Sequence, residues 1–312
     1  MADAAYIAVD WGTTSFRLWL MDGEHRVLAE RRSGEGMTTA AETGFATVLA
    51  AHLAAVSAGP DLPVIICGMA GARQGWVEAG YADAPASLAT VLEGAVRVPG
   101  ETRDIRILPG IAQRTEAAPD VMRGEETQLL GALGPASAGK ALVCMPGTHS
   151  KWVNVEDSRV TSFASFMTGE LFDVITKHSI LKHAVAGAEA FDASHPAFQA
   201  AVVKAAAEPA LLTSLIFTAR SGQLLHGLDA TGAAARLSGT LIGVEIAGGL
   251  HVAGQRPDLV RLVASGRLQG LYEGALAALG LAFETIDADL AVRQGLAAAA
   301  QSLFLSHARM PA

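Results

Sequence analysis

The sequence predicts an α/β protein built from two sheet-bearing halves, and three observations carry that expectation. Its 312 residues exceed the usual span of one domain and suggest two cores. The chain opens with three strand-like runs, "AYIAVD", "SFRLWLM" and "HRVLAERR", and the same pattern of strand, glycine-bearing turn, strand, turn, strand recurs in "KALVCMPGTHSKWVNVEDSRVTSFASF" at 140–166. The rest of the second half is dominated by Ala-rich stretches of helical period.

Taken in order, the first three runs are broken by "WGTT" and "DGE", whose Gly and Asp suit tight turns, so they read as an antiparallel meander. Residues 41–58 place Phe45, Leu49, Leu53 and Val56 on one helical face, and "LPVIICGM" follows as a continuous apolar run suited to a buried strand. After an irregular stretch at 70–104 come the strand "IRILPG" and the short helix "GEETQLLGAL". The loop-like "GALGPASAGK" at 131–140 is the best boundary, giving domains 1–135 and 136–312. Beyond 190 the pattern is helical, with one late strand, "LVRLVA", at 259–264.

Half of the residues are apolar (51%) and 17% are charged, which describes a well-packed chain rather than a disordered one. A formal net charge of -8 with no basic run argues against nucleic-acid or anionic-membrane partners, so any anionic ligand must be held by local groups. No basic-then-apolar leader opens the sequence and no apolar run reaches the roughly 18 residues that span a bilayer, so the cytoplasm is the expected location. Cys67 and Cys144 each end an apolar run and read as buried, reduced thiols. The sequence lacks a P-loop, a dinucleotide fingerprint and zinc spacings.

The chemistry concentrates in two turns. In "VDWGTTSFR", Gly12 allows close approach to backbone N–H groups, Thr13, Thr14 and Ser15 add hydroxyls, and Asp10 is placed to hold a magnesium ion through water. "PGTHSKW" repeats these features with Gly147, Thr148, His149, Ser150 and a cationic Lys151. Either turn alone is equally an ordinary hairpin; two together point to a pair of phosphate cradles.

Paired Gly/Thr turns at the starts of two mixed-sheet halves resemble the phosphate motifs of the superfamily of actin, hexokinase, glycerol kinase and the heat-shock chaperones. "WGTTSFRLW", "CGMAGARQGW", "MRGEETQLLGAL", "MPGTHSKWV" and "TGEL", spread from about residue 6 to 300, resemble the 2-dehydro-3-deoxygalactonokinase family more closely. The resemblance implies two ribonuclease-H-like lobes with an active-site cleft between them, ATP and Mg2+ as cofactors, and transfer of a phosphoryl group to the 6-hydroxyl of a sugar acid. It implies that both turns converge on one triphosphate. Related sugar kinases carry a Gly-Asp pair whose Asp is the general base; here the corresponding residues are Gly124, Glu125 and Glu126, and spacing does not choose between the two glutamates. Ser265 and Gly266, between a strand and a helix, resemble the adenosine motif.

For the sugar, a carboxylate calls for cations, and Arg17, Arg73 and Arg123 lie nearest the motif glycines, although each serves equally as an ion-pair partner; Arg17 is also a candidate nucleotide contact. Gly71, Gln74 and Trp76 of "GMAGARQGW" complete the expected sugar site, with Thr168 and Glu170 of "FMTGEL", where Thr168 is alternatively a helix N-cap. Two rival readings stand beside this: a kinase for another hexonate or for the gluconate epimer, and a nucleotide-gated binding protein of the same fold. The sequence is compatible with a homo-oligomer and does not specify one.

Overall fold

The structure, a computed structural model, describes residues 3–134, 138–254 and 256–306. The boundary expected between 135 and 136 falls outside them. The chain forms two compact units, one comprising Met1–Gly139, Glu156–Thr161 and the segment from Ala288 onward, the other Lys140–Val155 and Ser162–Asp287.

Unit 1 opens with β1 (Ala4–Trp11), β2 (Phe16–Asp22) and β3 (Val27–Ser33), then α1 (Met37–Thr43) and α2 (Phe45–Ala55). There follow β4 (Val64–Gly68), β5 (Tyr81–Asp83), β6 (Ala86–Ser87), α3 (Leu88–Glu93), β7 (Val96–Arg97), β8 (Ile105–Ile107), β9 (Gly110–Gln113), β10 (Asp120–Met122) and α4 (Glu125–Leu133). The principal sheet has the order β3-β2-β1-β4-β8-β7. Its first three strands form the expected antiparallel meander, while β1–β4 and β4–β8 are parallel. The central strands are apolar on both faces, as a sheet covered on both sides requires: every residue of β4 is buried. One face packs Trp11, Phe16, Phe45 and Leu49 into the core.

Unit 2 contains β11 (Lys140–Met145), β12 (Ser150–Glu156), β13 (Arg159–Phe166), α5 (Thr168–His178), α6 (Pro196–Ala207), α7 (Leu212–His226), α8 (Ala230–Val252), β14 (Val260–Ala264), α9 (Gly266–Ala278) and β15 (Phe283–Asp287). The sheet runs β15-β14-β11-β12-β13-β6, with β11–β14 and β14–β15 parallel. Asp157 and Ser158 both have positive φ, as the two-residue turn of a tight hairpin demands. The tip of that hairpin belongs to unit 1, where Arg159 and Val160 pair with Ser87 and Ala86 of β6. Each sheet thus repeats a three-stranded meander continued by two parallel strands, which is the ribonuclease-H-like arrangement; β7 adds an antiparallel edge beside β8 in the first.

The last helix, α10 (Ala288–Ala300), belongs to unit 1 and packs on α4. Glycine makes this crossing possible: a Cβ on Gly131 would fall 1.8 Å from the Ala291 carbonyl, and one on Gly295 1.9 Å from that of Thr127. Three local expectations change. The helix read across 41–58 is two, because Gly44 (φ 92°) ends α1 and starts α2. β15 went unread because "FETID" is short and half-exposed, and it is defined by its pairing with β14. Thr168 is the first residue within α5 rather than its N-cap, a place taken by Met167. Cys67 and Cys144 are free and buried. Among the described residues no single helix is long and apolar enough to cross a membrane; one bent pair, Pro196–Ala207 with Pro209–His226, passes only by length and composition.

Candidate active site

The first turn links β1 to β2, closed by a hydrogen bond from Gly12 N to Ser15 O (2.8 Å). Its back is pinned by the start of α1: Met37 N donates to Gly12 O (2.9 Å) and Thr38 N to Thr13 O (3.1 Å). In a trans peptide the C=O of one residue and the N–H of the next point in opposite directions, so the Thr13 and Thr14 N–H groups face the other side, where Thr13, Thr14 and Ser15 are exposed. Two adjacent amides aimed at solvent form an anion-binding concavity. Gly36 makes the pinning possible, since a Cβ there would lie 2.5 Å from Thr13 O and Thr14 N.

The second turn, between β11 and β12, is built the same way. Glu170 N at the start of α5 donates to Thr148 O (3.1 Å), and a Cβ on Gly169 would fall 2.6 Å from Gly147 O. These contacts turn the Thr148 and His149 N–H groups away from α5. Gly147 itself has open space: its Cβ would meet nothing nearer than His149 O at 3.9 Å. His149 Nε2 and Glu170 Oε2 pair at 2.5 Å on the exposed rim. Lys151 is buried (5% exposed), with Nζ donating to Ser165 Oγ at 2.6 Å, because its position on β12 carries it away from the turn. Ser150 is also buried, and its Oγ accepts from Gly147 N.

Beside the second turn lies a cavity of about 310 Å³, large enough for a small ligand, lined by Gly147, Thr168, Ser238, Arg267, Leu271 and Tyr272 among others. Ser265 precedes α9, and Gly266 (φ 62°) is exposed with no atom near its Cβ position, so a flat group can approach that backbone. Arg267 lies over the Phe191 ring at 4.6 Å.

In unit 1, the carboxyl ends of parallel β1 and β4 bring Asp10 beside Cys67 and Trp11 beside Gly68. Gly68 (φ 89°) permits this, because a Cβ would strike the Trp11 carbonyl at 2.6 Å. Gly124, also at positive φ (104°), turns the chain into α4 next to Gly68. The two glutamates that follow differ sharply. Glu126 is fully buried, with Oε2 accepting from Gly124 N (2.6 Å) and Oε1 from Thr127 Oγ1 (2.9 Å). Burial, and then the charge of Glu125, push its carboxyl up to about 7. Glu125 is half-buried and accepts from Arg123 N at 2.9 Å.

Asp10 pairs with Arg17, directly across the β1–β2 ladder, at 2.6 Å, and Arg17 also binds Asp289 of α10. Burial pulls the Arg17 guanidinium down, but the two aspartates outweigh it and leave it raised. Arg17 is therefore committed to carboxylates. Arg123 is covered differently: its Nη2 donates to Gly80 O (2.7 Å) and the guanidinium lies over Tyr81 (4.4 Å) and against Gly71, while Nε and Nη1 are buried without a hydrogen-bond partner among the described residues. Trp76 stacks on Phe45, meets Trp11 edge-on and packs against the core. Arg73 and Gln74 are exposed. Sequence reasoning missed Gly36, Gly68 and Gly169, whose neighbours are set by tertiary contact, and Asp289, which lies 272 residues from its partner Arg17.

Among the described residues no group of three or more His, Cys, Asp or Glu side chains is arranged to hold a metal. A single carboxylate suits Mg2+, which keeps its waters and binds substrate phosphates; Asp10 Oδ1, which accepts from the Cys67 thiol at 3.7 Å, has that character.

Two ribonuclease-H-like sheets, each with a glycine turn backed by a helix N-terminus, define the class: a protein of the actin-like ATPase fold. The 2-keto-3-deoxy-galactonokinase family matches residues 10–299. The chain is 60% identical over 299 residues to the Rhizobium meliloti (strain 1021) protein named as a probable 2-dehydro-3-deoxygalactonokinase, covering 96% of this chain and 97% of that one. It is 36% identical over 301 residues to the 2-dehydro-3-deoxygalactonokinase of Escherichia coli (strain K12), covering 96% and 99%. A crystal structure of a 2-dehydro-3-deoxygalactonokinase-family protein from Sinorhizobium meliloti superposes with a TM-score of 0.93 at 60% identity, covering 96% and 99%. The chain belongs to the 2-keto-3-deoxy-galactonokinase family.

Proposed function

We propose that this protein transfers the γ-phosphoryl group of ATP to the 6-hydroxyl of 2-dehydro-3-deoxy-D-galactonate, in the cytoplasm. The observation that carries this reading is the repeated turn: two glycine bends in a kinase-family chain, each with at least one carbonyl pinned by a helix start and its amides facing outward. The second turn and its adjoining cavity take the nucleotide, with Ser265, Gly266 and Arg267 toward the adenosine. The Thr13 and Thr14 amides add donors for phosphate oxygens. Mg2+, when bound, neutralises phosphate charge, and Asp10 would hold its hydration shell.

Glu125 is the general base. A base must touch the hydroxyl it deprotonates, and Glu126 is fully buried whereas Glu125 is half-exposed. Glu126 instead holds Gly124 N and thereby the start of α4. Arg73, with Gln74, receives the sugar carboxylate, because Arg17 is tied to two aspartates and Arg123 is covered.

A coupled ADP-release assay across 2-keto-3-deoxy hexonates, pentonates and neutral sugars tests the substrate; a preference of about tenfold or more for the galactonate derivative is expected. Glu125→Gln is expected to lower kcat at least about a hundredfold while ATP still binds. Near-full activity in that variant would remove Glu125 as base.

A further inference from the structure

Unit 2 holds a buried carboxylate that phosphoryl transfer does not use. Glu245, in the middle of α8, is 1% exposed. Its Oε1 accepts from Trp152 Nε1 (2.9 Å) and its Oε2 from the Tyr272 hydroxyl (2.6 Å). The hydroxyls of Ser150 and Thr168 also bond to it. An ionised carboxylate only accepts and has about four lone-pair sites, so these partners fill it. Burial raises the Glu245 carboxyl while the partners draw it back.

The partners come from three elements that border the second turn. Ser150 closes the turn at the start of β12, Thr168 opens α5, and Tyr272 lies on α9. Ser150 Oγ also lies 3.2 Å from the Tyr272 hydroxyl and accepts from Gly147 N at 3.4 Å. Gly169 and Glu170, which pin the back of the turn, directly follow Thr168. Thr168 and Tyr272 also line the adjoining cavity. Thr168 and Tyr272 thus join Glu245 to the wall of the cavity.

We propose that Glu245 is a positioning residue for nucleotide binding, holding Ser150, Thr168 and Tyr272 so that the second turn and its cavity keep their shape. This rests on the reading that the second turn takes the phosphates of ATP. Glu245 touches no ligand; it acts through the hydroxyls.

The test is steady-state kinetics of the full-length kinase with Mg-ATP and 2-dehydro-3-deoxygalactonate, alongside thermal unfolding. Tyr272→Phe keeps the ring and removes one donor; Glu245→Gln introduces an NH2 group facing donors. Each is expected to raise KM for ATP about five- to tenfold. KM for the sugar acid should stay within about twofold, and the thermal midpoint of Tyr272→Phe within about 3 °C. An unchanged KM for ATP in Tyr272→Phe, whatever the midpoint does, overturns the proposal, and that variant decides if Glu245→Gln does not fold. Gly147→Val separates the two layers of argument, since its side chain enters open space. If it raises KM for ATP while Tyr272→Phe does not, the positioning role alone fails; if it too leaves KM unchanged, the phosphate reading of the turn fails and takes the proposal with it.

Discussion

The two glycine turns do the same geometric task with different supports. At the first, two backbone amides of α1 hold two carbonyls, and Gly36 sits 2.5–2.6 Å, as a hypothetical Cβ, from three backbone atoms of the turn. Behind it stands Glu35, whose carboxylate meets His52 at 2.8 Å and whose carbonyl accepts from Trp11 Nε1. At the second, one amide of α5 holds one carbonyl, and the remaining support comes from side-chain hydroxyls gathered by Glu245. The first turn is thus set by backbone packing, the second by a buried polar network, and the two should respond to different substitutions.

The largest effect expected is from Gly36→Ala, which must displace the first turn and should lower kcat/KM for ATP about a hundredfold or more. Gly169→Ala meets one carbonyl and one Cα and should cost about thirtyfold by the same assay; equal or reversed losses would break the contrast between the supports.

The two buried carboxylates sharpen it. Glu126 has three donors, Thr127 Oγ1 and the Gly124 and Glu126 amides, against the four partners of Glu245, and burial lifts it to about 7. Below the unfolded value near 4.5 both states are protonated and Glu126 costs nothing. As pH rises toward 7 the unfolded chain loses its proton first, so stability falls, by about 3 kcal/mol once pH is above 7. Glu126→Gln should therefore be more stable than the parent at pH 8 and nearly equal at pH 4.5 in chemical denaturation. A parallel pair of stability curves would show that Glu126 is not held this way.

Smaller effects test the turn surfaces. Gly147→Ala places a methyl in open space, so it should raise KM for ATP about tenfold with little change in the thermal midpoint. His52→Gln should be smallest, about threefold in KM for ATP, because the Glu35 side chain it meets is 44% exposed and such pairs are weak.

Much of this molecule is legible along the chain. Alternating and continuous apolar runs announced β1–β4, β11–β14 and most of the long helices, because burial of one face or both leaves a period in the sequence. The turns at Gly12 and Gly147 were legible as glycine and hydroxyl residues between strands. "MRGEETQ" marked the helix start at Gly124 but left Glu125 and Glu126 equivalent, since adjacent residues differ only in which way the helix turns them.

What the sequence alone determined is the strand–turn–strand pattern written twice, the residue types in each turn and the family. Tertiary structure decided which of those residues are free to act. Arg17, Arg123, Lys151 and Trp76 look available along the chain, yet each is engaged by partners drawn from elsewhere: Asp289, Gly80 and Tyr81, Ser165, and Phe45. It also paired Gly36 and Gly169 with the turns, and assembled the Glu245 network from β12, α5, α8 and α9. The physical reason is that local pattern records how a residue is buried, whereas its partner is fixed only when distant segments pack, and hydrogen bonds and close backbone contacts depend on that partner.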